Sequence, residues 1–232
     1  MRPHYSLVVP FYNEGGNILP LIESAVMVLD SMGHDYEIVL VNDGSTDSTA
    51  DEIAACLARW PRCCALHQPS NLGQATALLD GLRAAQGEII LTMDGDGQND
   101  PRDFPLLIAP VEAGTLDIAC GWRHERHDSW LRRKMSRLAN GVRSRVLGDH
   151  LNDSGCQLRV LRRATITALF PFELLQSFLP AILIAAGFRL GEFKVRHHPR
   201  TRGQAHYGLR QLWLRPTLAM FRLRRRLKAS GS

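Results

Sequence analysis

The first hundred residues alternate short apolar runs with amphipathic stretches, and that rhythm restricts the fold more than any other feature of the chain. Residues 6–9, 37–41, 63–67 and 88–93 have strand length and near-continuous apolar content, the pattern of strands buried on both faces. Between them, 17–32, 49–60 and 73–85 read as helices. In the first, Ile18, Leu21, Ile22, Ala25, Val28 and Leu29 recur on one face. In the second, Ser48 stands where an N-cap is needed. Strands joined by such crossover helices build a mostly parallel sheet with helices on both sides. Ligands of such sheets collect at the carboxyl ends of the strands. Three polar clusters fall at those ends: Phe11-Tyr12-Asn13-Glu14, Asn42-Asp43-Gly44-Ser45 and Asp94-Gly95-Asp96-Gly97-Gln98. The fold is expected to gather them.

The third cluster carries the most chemistry. Asp94 and Asp96 lie one residue apart, beside glycines, just past a strand. Two carboxylates so placed can hold a hard divalent cation and leave its other faces to water and phosphate oxygens. Gly95 and Gly97 allow the backbone to approach a bulky ligand. An isolated Asp-x-Asp is short and common, so an acidic polar turn is the competing reading.

The second half is less regular. Residues 118–122 read as a strand with Arg123 at its end, 129–147 as a basic amphipathic helix, and 157–161 as a strand. A helix at 173–186 and a strand at 189–196 follow. The tail from 209 to 228 has helical spacing, with Pro216 expected to kink it or start a new helix. The simplest division is one domain over 1–208 and a basic helical extension over 209–232.

Charge divides the chain as well. Residues 1–120 hold 5 Lys/Arg against 17 Asp/Glu, whereas 121–232 hold 23 against 6. A basic half can meet nucleic acid, an anionic membrane or phosphorylated ligands. A plain nucleic-acid binder has no use for the acidic half, so nucleic acid is not expected as a partner. With 45% hydrophobic and 22% charged residues the composition is that of a soluble globular protein. No run of about 18 uncharged apolar residues is present; the longest candidate, 178–188, is too short to span. The chain reaches its first strand by Ser6, so no secretory leader is expected. Five cysteines without a Cys-x-x-Cys pair point to a reduced, cytoplasmic protein.

The motifs, taken in order, run Val9-Pro10-Phe11-Tyr12-Asn13-Glu14, Val41-Asn42-Asp43-Gly44-Ser45-Thr46-Asp47 and Asn71-Leu72-Gly73 before a helix. They continue with Asp94-Gly95-Asp96-Gly97-Gln98, Asp153-Ser154-Gly155-Cys156, and Pro199 to Gly208. This series resembles family 2 glycosyltransferases of the GT-A fold, whose nucleotide-binding half is Rossmann-like. Within that family it is similar to the polyprenyl-phosphate sugar transferases typified by dolichyl-phosphate mannose synthase. The resemblance spans about residues 6–208.

The resemblance implies roles residue by residue. Pro10, Tyr12 and Glu14 match positions that line the base and ribose, and Asp43, with Val41 beside it, matches the carboxylate that binds the nucleoside. Asp94, Gly95 and Asp96 match the family's Asp-x-Asp, which serves both donor and metal, and Gln98 matches a further ligand to Mg²⁺ or Mn²⁺. Arg123 matches a position near the donor sugar and its phosphate. Arg200 matches a phosphate-binding arginine. Relatives often carry lysine where this chain has His206, so a phosphate neighbour would have to keep the imidazole charged, or Arg202 would supply the charge. The implied reaction transfers a sugar, with inversion, from a UDP- or GDP-sugar to a polyprenyl (undecaprenyl) phosphate.

A lipid monophosphate has its second pKa near about 6, so it is already a nucleophile at pH 7. Asp153 is the best remaining carboxylate for a base or an acceptor-orienting group, alongside a turn held by Asp-Ser-Gly chemistry. His124 and His127 read as solvated loop residues, and His197-His198 as structural. Each basic helix reads either as a solvated face or as a surface for anionic headgroups, and at least one is expected to dock at the inner face of the membrane, directly or through a membrane partner; a homo-oligomer is compatible with the sequence. The alternatives are a family 2 transferase with a saccharide or other soluble acceptor, and a non-catalytic binding module on the same shell. A nucleotidyltransferase would need a Gly-rich basic loop where Pro10 to Glu14 stands.

Overall fold

A computed structural model of the protein describes residues 2–123, 141–199 and 211–230. Its elements are β1 (Tyr5–Phe11), α1 (Ile18–Ser31), β2 (Tyr36–Asn42), α2 (Thr49–Arg59), β3 (Cys63–His67), α3 (Gln74–Ala84), β4 (Ile89–Thr92), α4 (Phe104–Glu112), β5 (Ile118–Arg123), β6 (Arg159–Arg162), α5 (Leu175–Ala185), β7 (Leu190–Val195) and α6 (Gln211–Ser230). Short 3-10 turns at Pro101–Asp103 and Arg163–Ala168 lead out of the acidic turn and out of β6. Residues 141–147 are helical, the described part of the basic helix expected over 129–147.

The strands form one seven-stranded sheet in the order β3-β2-β1-β4-β6-β5-β7. β1 pairs in parallel with β2 and β4, β2 with β3, and β5 with β7. β6 alone runs against its neighbours β4 and β5. The mostly parallel sheet expected from the first half is therefore present, with one reversed strand inserted in it. That reversal brings the segment before β6 to the same edge as the ends of the parallel strands, since Thr92 at the end of β4 faces Arg159 at the start of β6.

Both faces of the sheet are covered. Leu7, Val9, Ile38, Leu40 and Leu91 pack under α1, α2 and α4, while Val8, Val39, Val41 and Ile90 pack under α3 and α5. Successive residues of β1 thus enter opposite cores, as pleating requires. Each fully buried aliphatic side chain contributes about 2 kcal/mol, and Leu7, Val8 and Val9 are all fully buried. Ala219, Met220 and Leu223 of α6 are buried in the second core. α6 passes through Pro216 as one element. The sequence expectation has no counterpart of α4. Its segment holds Pro105 and Pro110 and is apolar nearly all round, so helical spacing does not mark it, although Asp103 at the N-cap and Pro105 in the first turn are start signals that were not used.

Candidate active site

The carboxyl edge gathers the three expected clusters. Phe11 pairs with Asn42 across β1 and β2, and the Asp43 N–H donates to the Phe11 carbonyl at 2.9 Å. A Cβ on Gly95 would lie 2.3 Å from the Phe11 ring and 2.9 Å from the Pro10 carbonyl. The close approach that requires glycine at 95 is therefore to the protein's own first strand. It seats the acidic turn directly on the Pro10-Phe11-Tyr12 segment.

The loop after β1 is braced on the loop after β2. Asn13, in the left-handed region at φ 53, donates from its backbone to Ser45 Oγ at 3.0 Å and accepts from the Thr46 N–H at 2.8 Å. Glu14 donates from its N–H to Thr49 Oγ1 at 3.0 Å, and its carboxylate accepts from the Asn17 amide at 2.8 Å. Pro10, Tyr12 and Glu14 are half-buried along this loop, in position to line a shallow wall.

Asp43 is almost fully buried. Its carboxylate accepts from the backbone N–H groups of Leu72 (2.7 Å) and Gly73 (3.0 and 3.1 Å). Burial raises its pKa, and these hydrogen bonds pull it back. In this geometry Asp43 shapes the wall by holding the 71–73 loop. Val41 corrects the expectation. It is wholly buried under α3, where a Cβ on Gly81 would stand 2.9 Å from its Cγ2. Its side chain supports the strand and does not line the cleft.

Asp94 and Asp96 are half-buried. Gln74, at the start of α3, donates its amide to Asp94 Oδ1 at 2.8 Å, and Asn99 Oδ1 accepts the Asp94 N–H at 3.1 Å. The Gln98 N–H closes the turn on Asp96 Oδ1 at 3.1 Å. The Gln98 side-chain amide lies 3.5 Å from His197 Nε2 and donates to the His198 carbonyl at 3.2 Å. In donor chemistry the two carboxylates and the Gln98 amide oxygen suit a hard divalent cation, and the His197 imidazole stands beside Gln98.

His197 was expected to be structural, with a supporting contact to phosphate as the second reading. Buried acidic residues after the turn set its position. Asp103 accepts from the Arg196 N–H at 2.7 Å and from its Nε at 3.0 Å. Asp100 is gripped by Arg102 and stands 3.0 Å from His198 Nε2. Burial alone would raise the Asp100 pKa, but the bonds to Arg102 and His198 outweigh it and hold the carboxyl well below its ordinary range. Asp100, Asp103 and Arg196 were not singled out in sequence. For the two aspartates the one signal is the stretch Asn99-Asp100-Pro101-Arg102-Asp103 next to the Asp-x-Asp.

Arg123 ends β5 with its side chain 19% exposed, and meets Asp153, whose side chain is 4% exposed. The pair is bidentate, with Nε to Oδ2 at 2.7 Å and Nη2 to Oδ1 at 2.9 Å. Burial works against the Arg123 charge, yet the Asp153 carboxylate more than restores it, and Asp94 is near enough to add to the effect. Gly155 makes room, since a Cβ there would sit 2.8 Å from Arg123 Nη2. Glu192 of β7 fixes the turn by accepting from the Asn152 and Asp153 N–H groups at 2.9 to 3.1 Å. A carboxylate held in a guanidinium fork is a weak base. Of the readings expected for Asp153, the held Asp-Ser-Gly turn is seen, with the Gly155 N–H donating to Asp153 Oδ1 at 3.2 Å, and the carboxylate is otherwise committed to Arg123. Arg200, Arg202 and His206, with His124 and His127, lie outside the described residues.

The residues 6–175 match the family model described as glycosyl transferase family 2. The chain is 36% identical over 208 residues to an undecaprenyl-phosphate 4-deoxy-4-formamido-L-arabinose transferase of Edwardsiella ictaluri (strain 93-146), covering 89% of this chain and 64% of that protein. It is also 36% identical over 208 residues to a dodecaprenyl-phosphate galacturonate synthase of Rhizobium johnstonii, covering 88% of this chain and 62% of the relative. The chain thus spans under two thirds of the length of these curated relatives. Among solved structures, glucosyl-3-phosphoglycerate synthase from Mycobacterium tuberculosis superposes with a TM-score of 0.70 in complex with Mn²⁺ and UDP-glucose, at 20% identity over 96% of this chain and 79% of that one. Its complex with Mg²⁺ and UDP gives 0.71 at 19% identity, again over 96% and 79%. The expected GT-A architecture is borne out.

Proposed function

The chain belongs to glycosyl transferase family 2, and from that premise we propose that it is an inverting glycosyltransferase that moves a sugar from a nucleotide diphosphate to a polyprenyl phosphate. The observation that carries the reading is a 36% identity, across nearly nine tenths of the chain, to two proteins that are both named for sugar transfer to a polyprenyl phosphate.

In this reading Pro10, Tyr12 and Glu14 line the nucleoside, with Asp43 shaping that wall through the 71–73 loop. Asp94, Asp96 and Gln98, with His197 adjacent, would hold Mg²⁺ or Mn²⁺. When bound, such an ion supplies positive charge for the departing diphosphate. The chain's own contribution on that side is Arg123, kept charged and aimed by Asp153, where negative charge develops in the transition state. Arg200, Arg202 and His206 are assigned to the remaining phosphate oxygens. An acceptor phosphate with its second pKa near about 6 needs no strong general base at pH 7, which agrees with an Asp153 committed to arginine.

The acceptor is a lipid, so the enzyme must work at a membrane surface. Among the described residues no helix is long and apolar enough to cross a membrane. The reading places the protein peripherally at the cytoplasmic face. On α6, Leu218 and Phe221 are exposed among Arg222, Arg224, Arg225 and Lys228. That is the composition of a helix lying on anionic headgroups. We keep 209–232 as the extension that carries this contact.

The test is incubation of the full chain with Mg²⁺ or Mn²⁺, undecaprenyl phosphate and a panel of UDP- and GDP-sugars, with soluble phosphorylated and saccharide acceptors in parallel. A lipid-linked sugar that forms only with the metal present is the expected product. Transfer to a soluble acceptor alone would replace the lipid assignment with the other family 2 reading. Absence of any product, together with no binding of donors, would overturn the enzymatic reading altogether.

A further inference from the structure

The amino ends of the strands, opposite the acidic turn, carry a second group of donors. Among the described residues, His4, His34 and Glu112 are the one set of three His, Cys, Asp or Glu side chains whose ligand atoms all lie within 4.8 Å of one another. They come from three separate segments: the residue before β1, the turn before β2, and the last residue of α4. We propose that this triad binds a borderline transition-metal ion, Zn²⁺ or its analogues Co²⁺ and Ni²⁺, and so clips the three segments together.

The donor chemistry differs from that of the acidic turn. Two imidazoles and one carboxylate are a zinc-type set, whereas Asp94, Asp96 and Gln98 offer oxygens to a harder ion. The spacing agrees. Two ligands about 2.0 Å from a tetrahedral ion stand about 3.3 Å apart, and His4 Nε2 lies 3.1 Å from Glu112 Oε1. The His34 ring completes the group, its centroid 4.6 Å from that of His4 and the planes inclined by 33°.

The surroundings hold these ligands in place. The His4 N–H donates to the Asp35 carbonyl at 2.8 Å, and the His4 carbonyl accepts from Ile89 at 3.0 Å, so its backbone is fixed on both sides. The Tyr5 hydroxyl donates to Glu112 Oε1, and Glu88 Oε2 stands 3.8 Å from His4 Nδ1. A carboxylate near the second ring nitrogen and a hydrogen bond to the ligating carboxylate are the usual supports of a metal site. Glu112 also sits at the carboxyl end of α4, where the helix dipole disfavours negative charge. A cation there removes that conflict. His34 and Glu112 are exposed, which gives an ion a way in and leaves a fourth position for water.

The experiment uses the full chain with Asp94→Asn and Asp96→Asn to silence the acidic turn, stripped of metal and titrated with Co²⁺. Binding of one Co²⁺ with the intense visible absorption of a tetrahedral site is expected, displaced by Zn²⁺ and accompanied by a rise in melting temperature. His34→Ala and Glu112→Gln, added singly, should each weaken Co²⁺ binding by at least about 10-fold, an effect at the lower end of that seen for the partners of metal ligands. Their metal-free melting temperatures verify that both variants fold. If the parent binds no Co²⁺, or if either single variant binds it as tightly and with the same spectrum, the assignment fails.

Discussion

Two groups of aspartates crowd the carboxyl edge of the sheet, and they are held in different ways. Asp43 and Asp94 accept hydrogen bonds from uncharged donors: the Leu72 and Gly73 N–H groups and the Gln74 amide. Asp100, Asp103 and Asp153 are gripped by Arg102, Arg196 and Arg123. An uncharged donor fixes a carboxylate while leaving its charge available to a cation. A guanidinium fork fixes it and neutralises it as well. The first group comes from the acidic half and stays suited to ligand chemistry. In the second, Asp100 and Asp103 reach across to Arg196 and His198 of the basic half, whereas Arg123 and Asp153 pair within that half, and the net product is well-placed arginine and histidine.

Substitution in the acidic turn is the sharpest way to break this comparison. Asp96→Asn keeps the size of the side chain and removes its charge. Sugar transfer should fall by about 10³-fold or more, the scale on which lost electrostatic stabilisation acts, with an unchanged circular dichroism spectrum and melting temperature. Retention of metal-dependent transfer would move the metal assignment away from the turn.

Asp153→Asn should act less severely and in a different manner. If Asp153 positions Arg123, the variant loses about 10- to 100-fold in kcat, and the pH profile of kcat keeps its shape. A general base would instead lose the limb of the profile that reports its own ionisation. Measuring kcat from pH 5 to 9 for both proteins separates the two. Disappearance of a limb in the variant would return Asp153 to the role of base.

The same contrast explains what was legible in the sequence. Leu7, Val8 and Val9, flanked by amphipathic stretches, announce a strand buried on both faces, and the polar clusters follow at its end by simple topology. The direction of β6 is not legible, because a four-residue strand such as Arg159–Arg162 carries no mark of which way it runs. In spacing, α4 is hidden by Pro110 and its unbroken apolarity. At the site, the residue types of Asp94, Asp96 and Arg123 are informative in sequence, whereas their restraints are not. Arg123 finds Asp153 30 residues away, and Arg196 finds Asp103 93 residues away. Val41 lies two residues before Asp43 but inside β2, and there its side chain is wholly buried under α3.

The smallest effect concerns acid stability, and it tests the neutralised group. Asp100 titrates below its ordinary range in the folded chain because its bonds to Arg102 and His198 overcome the effect of burial. An unfolded aspartate titrates near about 3.9. A depressed carboxyl contributes stability that is fully present above the unfolded value and is lost as pH falls through the folded one. Melting temperature should therefore be level from neutral pH down to about 5 and decline below about 4. Asp100→Asn has no such carboxyl to protonate. The variant should be less stable than the parent at pH 7, by about 1–3 kcal/mol for a lost bond to a charged partner, and the gap between them should narrow toward pH 3. A gap that stayed constant across that range would mean the Arg102–Asp100–His198 contacts contribute shape without charge. The arginine-held aspartates would then differ from Asp43 and Asp94 in geometry alone.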